Sequence, residues 1–506
     1  MTSIDYLKVA GGKFICGFDG YEMDAHLQKL INDYNVAGII LFTRNIKDYN
    51  QVKTLVNKIK EEAEKAGYED DILIAIDQEN GLVNRLSQMN FYMPGAMSLG
   101  ASNDSEMSYE VGYRTAYLLN DIGVNINLAP VLDLNTNPNN PGLGTRSFSD
   151  NPTISYKNAC SFIDAHKDNG ILNTIKHFPG LGDLSVDTHL ELPEINKTYD
   201  ELLNLELIPF KEALKKENVS LMTAHIRYPK IDRSKLPGTM SKKIISGLIR
   251  DKLGFDGVVI TDCLEMHAIS KNYGVGQGAL KAFVAGADIA IVSHHLDAQE
   301  EAIKTVAYAI ENGEIDREII EKSRKRISHY KSQINMGKAS KKTYGYSIPD
   351  LYKKSVTVLK NDKELTEKAL FLVPFDERRS VGEDDKDNRQ QFFKELVEEK
   401  FENPTIFEYN NDNFNLKLCD AMSEYEEYDI VIGTLNNNFY NLEIKGNNNI
   451  HVVALRDPYP NKILYKSSQS WIDTYDLCYE TIDIALDTLL GNLSPTGKLP
   501  IKEHFR

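Results

Sequence analysis

The chain has 506 residues, with 74 acidic against 58 basic side chains, a formal charge of −16 and 42% hydrophobic content. That length exceeds one ordinary core and predicts two domains, and the acidic balance argues against nucleic acid or an anionic membrane as a main partner. With no 18-residue apolar run, no secretory leader and five scattered cysteines lacking a CxxC pair, a cytoplasmic location is expected.

Short apolar runs alternate with amphipathic stretches. The strand-like runs are GIILF (38–42), ILIAI (72–76), VNINLAP (124–130), NTIKHF (173–178), VSLMTAH (219–225), GVVIT (257–261) and ADIAIV (287–292). Most are continuous and β-branched, as parallel strands covered by helices are. Between them, 51–67 repeats Val52, Leu55, Val56 and Ile59 at helical spacing. A further unit near 239–243 has a weak pattern. Polar residues recur after the runs: Asp77, His177, His225, Asp262 and His294, with Arg146 in a loop. Convergence from so many strand ends favours a closed barrel over an open sheet, which would focus them on one or two switch points. The reading is α/β: a (β/α)8 TIM-like barrel over residues 1–335, a linker at 336–347, and a smaller α/β sandwich-type domain over 348–506. The second domain's strand candidates are 369–375, 428–435 and 449–455, and its final helix stops at Gly491.

The segment 176–190, KHFPGLGDLSVDTHL, packs Lys176, His177, Asp183, Asp187 and His189 around two glycines. Asp187 precedes His189 by two residues. It can hold one imidazole nitrogen, leaving the other to protonate a leaving oxygen and later activate water. A solvated loop histidine is the alternative. Asp262, after GVVIT, is placed to attack an anomeric carbon; equally, it is a favoured N-cap for the helix that follows. Asp77, Arg85, Arg146, Lys176 and His177 suit sugar hydroxyls, or else surface ion pairs and turn contacts. His294 and His295 point opposite ways at a strand end, and HExxH is absent, so no metal is expected. GxGxxG after a first strand, GxxxxGK[ST] and GxSxG are absent too, which argues against dinucleotide, P-loop and serine-hydrolase chemistry and leaves no cofactor implied.

Seven pieces, in order, resemble glycoside hydrolase family 3, in particular its β-N-acetylglucosaminidase branch (the NagZ type). They are IDQENG (76–81), NLAPVLDLN (127–135), GTRSFSDNP (144–152), KHFPG (176–180), GDLSVDTHLELP (182–193), MTAH (222–225) and GVVITDCLEM (257–266). The resemblance implies an exo-acting retaining β-N-acetylhexosaminidase working through a covalent glycosyl-enzyme intermediate. Asp262 would be nucleophile, His189 the acid/base and Asp187 its partner. Asp77, Arg85, Arg146, Lys176 and His177 would hold the terminal N-acetylglucosamine. The substrate would be a small oligosaccharide or a muropeptide-derived sugar, as in carbohydrate metabolism and cell wall recycling; oligomeric state stays open. The chain departs from the family pattern at Asn80, Leu82, Leu181 and Leu184, where Gly, Arg, His and Thr are usual. Alternatives are a β-glucosidase or β-xylosidase with a carboxylic acid from the second domain (Glu424, Glu426 or Glu427), an N-acetylglucosaminide phosphorylase, or a sugar-binding protein whose catalysis has decayed.

Overall fold

The computed structural model describes residues 3–185, 192–334, 344–375, 389, 391–439, 442–444 and 446–505. Eight parallel strands close into a barrel: β1 (Phe14–Cys16), β2 (Gly38–Leu41), β3 (Leu73–Ile76), β4 (Ile126–Asn127), β5 (Leu172–Phe178), β6 (Val219–Thr223), β7 (Val259–Cys263) and β8 (Ile289–Val292). Closure is made by β1 against β8, with Phe14 opposite Ala290. The eighth strand is thus β1, not the weak unit near 239–243. That stretch forms a helical turn, Gly238–Met240, leading into the helix Lys243–Lys252. Ser241 Oγ receives the Ile244 N–H there, so the hydroxyl caps a helix rather than ending a strand. β1 escapes periodicity because it is three residues long between glycines at 12 and 17.

Strand residues split by parity between two apolar layers. Ile15, Ile40, Leu73, Ala75, Ile126, Leu172, Met222, Ile260, Ile289 and Ile291 fill the barrel interior, with Ile327 and Tyr330 packed into the same cluster. Their neighbours Phe14, Cys16, Ile39, Leu41, Ile74, Ile76, Val259 and Val292 belong to the layer that packs on the helices. The helix Tyr49–Lys65 shows why. Asp48 caps its N-terminus by accepting from Gln51 N at 2.9 Å, and Val52, Leu55, Val56, Ile59 and Ala63 are its buried stripe.

The second sheet has six strands in the order β11-β10-β12-β13-β14-β9: β9 (Thr357–Asn361), β10 (Ala369–Pro374), β11 (Thr405–Tyr409), β12 (Asp429–Thr434), β13 (Ile450–Ala454) and β14 (Ser468–Asp473). Only β9 runs antiparallel, at the edge beside β14. Helices Gln391–Lys400 and Tyr479–Leu489 cover one face, and Phe414–Glu424 and Lys462–Ser467 the other. This is the expected α/β sandwich. β10, β12 and β13 were legible because both their faces are buried; the edge strands β9 and β11 are only partly buried and each carries a charged residue, Lys360 and Glu408.

Two straps bind the units. Of the stretch read as a linker, 344–347 lies within the described residues, and it is pinned to the barrel helix Ser105–Asp121. Gly345 N donates to Glu110 at 2.8 Å, and Arg114 donates to Tyr346 O. At the far end, Lys498 N donates to Ala101 O at 3.0 Å, Ser149 Oγ to Pro500 O, and Gly497 N to Val356 O at 3.1 Å. A Cβ on Gly497 would stand 2.0 Å from the Ser355 carbonyl oxygen, backbone against backbone. Gly497→Val is therefore expected to lower the calorimetric melting temperature by several degrees, equivalent to roughly 2 kcal/mol or more of overpacking strain. An unchanged transition would contradict this close approach.

Candidate active site

The two-residue period of the strands decides which polar groups reach the barrel mouth. In β3, Leu73 and Ala75 face inward, so Asp77 continues the inward row. In and just before β7, Val258 and Ile260 face inward; the register shifts between Ile260 and Cys263, and Asp262 lies in that irregular C-terminal end of the strand. In β5, Leu172 faces inward and Ile175 outward, which sends Lys176 inward. Three of the anticipated residues thus share the C-terminal rim, where barrel enzymes place their chemistry.

Lys176 organises the rim. Its ammonium, 3% exposed, lies 2.6 Å from Asp77 Oδ1 and 2.7 Å from Glu79 Oε1. Arg146 donates Nε and Nη2 to the two Glu79 oxygens, each at 2.8 Å. Burial alone would raise the Glu79 pKa; Arg146 and Lys176 outweigh it and hold the carboxyl well below its ordinary value. Burial likewise works against the charge on Lys176, yet Asp77 and Glu79 leave its pKa raised. Arg146 is therefore engaged by a carboxylate that the sequence reading did not assign. Glu79 was discoverable: it sits in IDQENG, the same parity as Asp77.

The loop after β3 is built to hold Asp77 and Glu79 still. Asn80 and Gly81 have φ of 67° and 56°, and Glu79 N donates to Val83 O at 3.2 Å. Positive φ at two successive residues is a tight-turn conformation that Asn and Gly adopt at little cost. Asn therefore stands in for the family's Gly without loss of the turn. Beneath it, Gln78 donates to Asn80 and Asn84 at 2.8 and 2.9 Å and accepts from Arg85 N at 3.0 Å. Its backbone is gripped by Asn127, which in turn contacts the buried His166 at 3.1 Å. Burial pushes His166 down to about 3, so it is neutral.

The other anticipated residues sit as follows. The His177 ring contacts Asp133 at 2.7 Å, and that carboxylate also receives the His177 and Leu181 N–H groups. Asp133, a second unassigned residue, lies in the family-like piece NLAPVLDLN. The Arg85 guanidinium lies 5.4 Å from the Phe42 ring centroid. Asp262 is half-buried and accepts from Cys263 N at 2.7 Å. His225 braces this strand end: Nε2 is 2.9 Å from Cys263 O and Nδ1 2.8 Å from Thr239 Oγ1. Since Nε2 faces a carbonyl it carries the proton, and Nδ1 accepts from Thr239. His294 and His295 meet Glu265, which receives both their N–H groups; the His295 ring is 2.7 Å from Glu265 and its pKa is raised by that hydrogen bond. Among the described residues, no three His, Cys, Asp or Glu side chains group as a metal site.

Asp187 and His189 lie outside the described residues. The flanks of their segment are anchored. Asn137 donates to Leu184 O at 2.9 Å, Asn140 to Leu181 O at 2.8 Å, and Arg227 N to Pro193 O at 2.9 Å. Lys197 pairs with Asp183 at 2.9 Å and with Glu206. Leu181 and Leu184 are buried in the barrel's apolar cluster. At these two departures from the family pattern, apolar packing replaces polar side chains. Glu424, Glu426 and Glu427 are exposed near the start of β12. The barrel is met instead beyond the opposite, C-terminal ends of β10 and β14, by Arg389 and Asp476. A six-residue strand separates the two ends by ~20 Å.

Comparison with known proteins follows this geometry. The model of the glycosyl hydrolase family 3 N-terminal domain matches residues 4–330. The chain belongs to this family. A family 3 beta-N-acetylglucosaminidase from Paenibacillus sp. str. FPU-7 superposes with a TM-score of 0.88 at 31% identity, over 99% of both chains. Beta-hexosaminidase A of Pseudoalteromonas piscicida is 35% identical over 335 residues, 62% of this chain; the match spans only 56% of that protein's length. The beta-hexosaminidase of Tolumonas auensis is 31% identical over 287 residues, 56% of this chain and 83% of its own. The chain is a glycoside hydrolase of the family that its sequence resembles.

Glu79→Gln removes a carboxylate from between two buried cations and should destabilise the fold by about 3–5 kcal/mol at neutral pH. A carboxyl with a depressed pKa contributes fully above its ordinary value of 4.5 and loses that contribution as pH falls through the folded value. Denaturant titrations should therefore show the gap to wild type closing only in acid. An equal gap at all pH values would argue that shape, not charge, is what Gln fails to supply.

Proposed function

We propose that the chain is an exo-acting, retaining β-N-acetylglucosaminidase. The observation that carries this reading is the Lys176–Asp77 pair and Asp262 at the C-terminal strand ends of a family 3 barrel, in a chain that matches a beta-N-acetylglucosaminidase along its full length. The catalytic barrel is assigned to 1–335 and the second domain to 348–506. Asp77 and Lys176 receive the hydroxyls of the terminal sugar. Glu79 and Arg146 hold Lys176 in line, and Asp133 does the same for His177. Arg85 closes the sugar's other side.

Asp262 attacks the anomeric carbon while the His189 imidazolium protonates the departing glycosidic oxygen. The covalent glycosyl-enzyme forms as that C–O bond breaks. The now neutral imidazole takes a proton from water as that oxygen attacks the same carbon, the bond to Asp262 breaks and frees its carboxylate, and two inversions return the β configuration. Asp187 fixes the imidazole tautomer and its direction. An imidazole in this role places no second carboxylate beside the nucleophile, so neither group raises the other's pKa. The substrates are short N-acetylglucosaminides, including muropeptide-derived sugars, met in the cytoplasm.

An aryl N-acetyl-β-glucosaminide should be turned over at least ~10²-fold better, in kcat/KM, than the matching aryl β-glucoside, because a buried polar site rejects an analogue lacking its hydrogen-bonding group. Preference for the plain glucoside would sink the proposal. Adding inorganic phosphate and looking for a sugar 1-phosphate separates phosphorolysis from hydrolysis. His189→Ala should lose ~10²–10⁴-fold on substrates with poor leaving groups and much less on a dinitrophenyl glycoside, which needs no proton. A uniform loss on both, or none on either, would remove His189 from the acid role.

A further inference from the structure

We propose that Arg389 and Asp476, both from the second domain, are positioning residues that hold the barrel's sugar-binding loop 77–85, so that the second domain governs how tightly the terminal sugar is bound. This rests on the sugar site proposed above.

Arg389 is 4% exposed and reaches across to the tip of the loop. Its Nη1 donates to Gly81 O at 2.7 Å and its Nη2 to Leu82 O at 3.1 Å. These are consecutive carbonyls, and a forked guanidinium can take both at once; an ammonium is a single point charge. The same guanidinium lies 6.0 Å from the Tyr92 ring centroid. Asp476 is also 4% exposed; it accepts from Gly95 N at 2.9 Å and Ser98 Oγ at 2.6 Å. Its Oδ1 occupies the space a side chain on Gly81 would need, since a Cβ there would stand 2.4 Å from it. Gly81 N donates to Met93 O at 3.2 Å, so the tip is bonded by Arg389 and Met93 and walled by Asp476.

The tip is two residues from Glu79, which fixes Lys176, and four from Asp77. A hairpin this short transmits displacement at its turn to its stem. A shift of about 1 Å at a binding group can cost up to ~10²-fold. The second domain thus acts on the sugar without touching it, by bracing the loop backbone rather than by supplying an acid/base to the glycosidic bond.

The test uses the full chain with Arg389→Ala, Arg389→Lys, Asp476→Ala and Asp476→Asn. Hydrogen–deuterium exchange of peptides covering 78–86 should accelerate at least ~10-fold in both alanine variants, with barrel strands elsewhere unchanged. On an aryl N-acetyl-β-glucosaminide, KM should rise ~10-fold while kcat stays within ~3-fold, and the conservative variants should recover part of the loss. Unchanged loop exchange, or a fall in melting temperature with KM unmoved, would overturn the proposal. The exchange measurement needs no substrate. If the wild type hydrolyses some other glycoside, the substrate reading fails while the loop's dependence on Arg389 and Asp476 is still decided, with KM read on that glycoside.

Discussion

A lysine ammonium can stay charged inside a barrel mouth only if carboxylates surround it, because burial otherwise drives the proton off. Lys176 meets that condition with Asp77 on one side and Glu79 on the other. Glu79 in turn needs a second cation, which Arg146 supplies with two hydrogen bonds. Removing any of the four would leave a buried charge short of a partner, which is costly. They come from the loop after β3, the turn Gly144–Arg146 and the end of β5, so their mutual need fixes three rim segments against one another. The Asn80–Gly81 hairpin, the Gln78 bonds beneath it and the second domain's grip above it are the supports that this arrangement draws on.

Much of the fold was legible because its physics is local. Continuous β-branched runs need only the order of residues, and those from GIILF to ADIAIV each overlap a barrel strand. What escaped was set by closure. Phe14–Cys16 is too short to carry a period and exists as a strand because β2 and β8 flank it. The polar stretch 344–347 looked like a spacer, yet its backbone is held by Glu110 and Arg114 on a helix more than two hundred residues earlier.

The site divides the same way. Asp77, Lys176 and Asp262 stand at the ends of apolar runs, so sequence finds them. Arg146 was found too, but its partner was not: a glutamate beside an aspartate in IDQENG reads as a solvated pair until the arginine is brought to it across the fold. Asp133 stayed hidden for the same reason, since its ties to His177 and Leu181 span more than forty residues. Asp187 and His189 were singled out by their spacing and by the family resemblance, and their part in the reaction belongs to the proposal. Leu181 and Leu184 looked like losses; both are core residues of the loop's anchored root.

Within the cluster of Lys176, Arg146, Asp77 and Glu79 the charges cancel, two cations against two anions. An electroneutral cradle of this kind offers strong dipoles but little net potential. The balance that keeps a lysine ionised also leaves this corner of the rim a set of fixed, oriented donors and acceptors rather than a point charge, so whatever it meets is met by direction more than by net attraction.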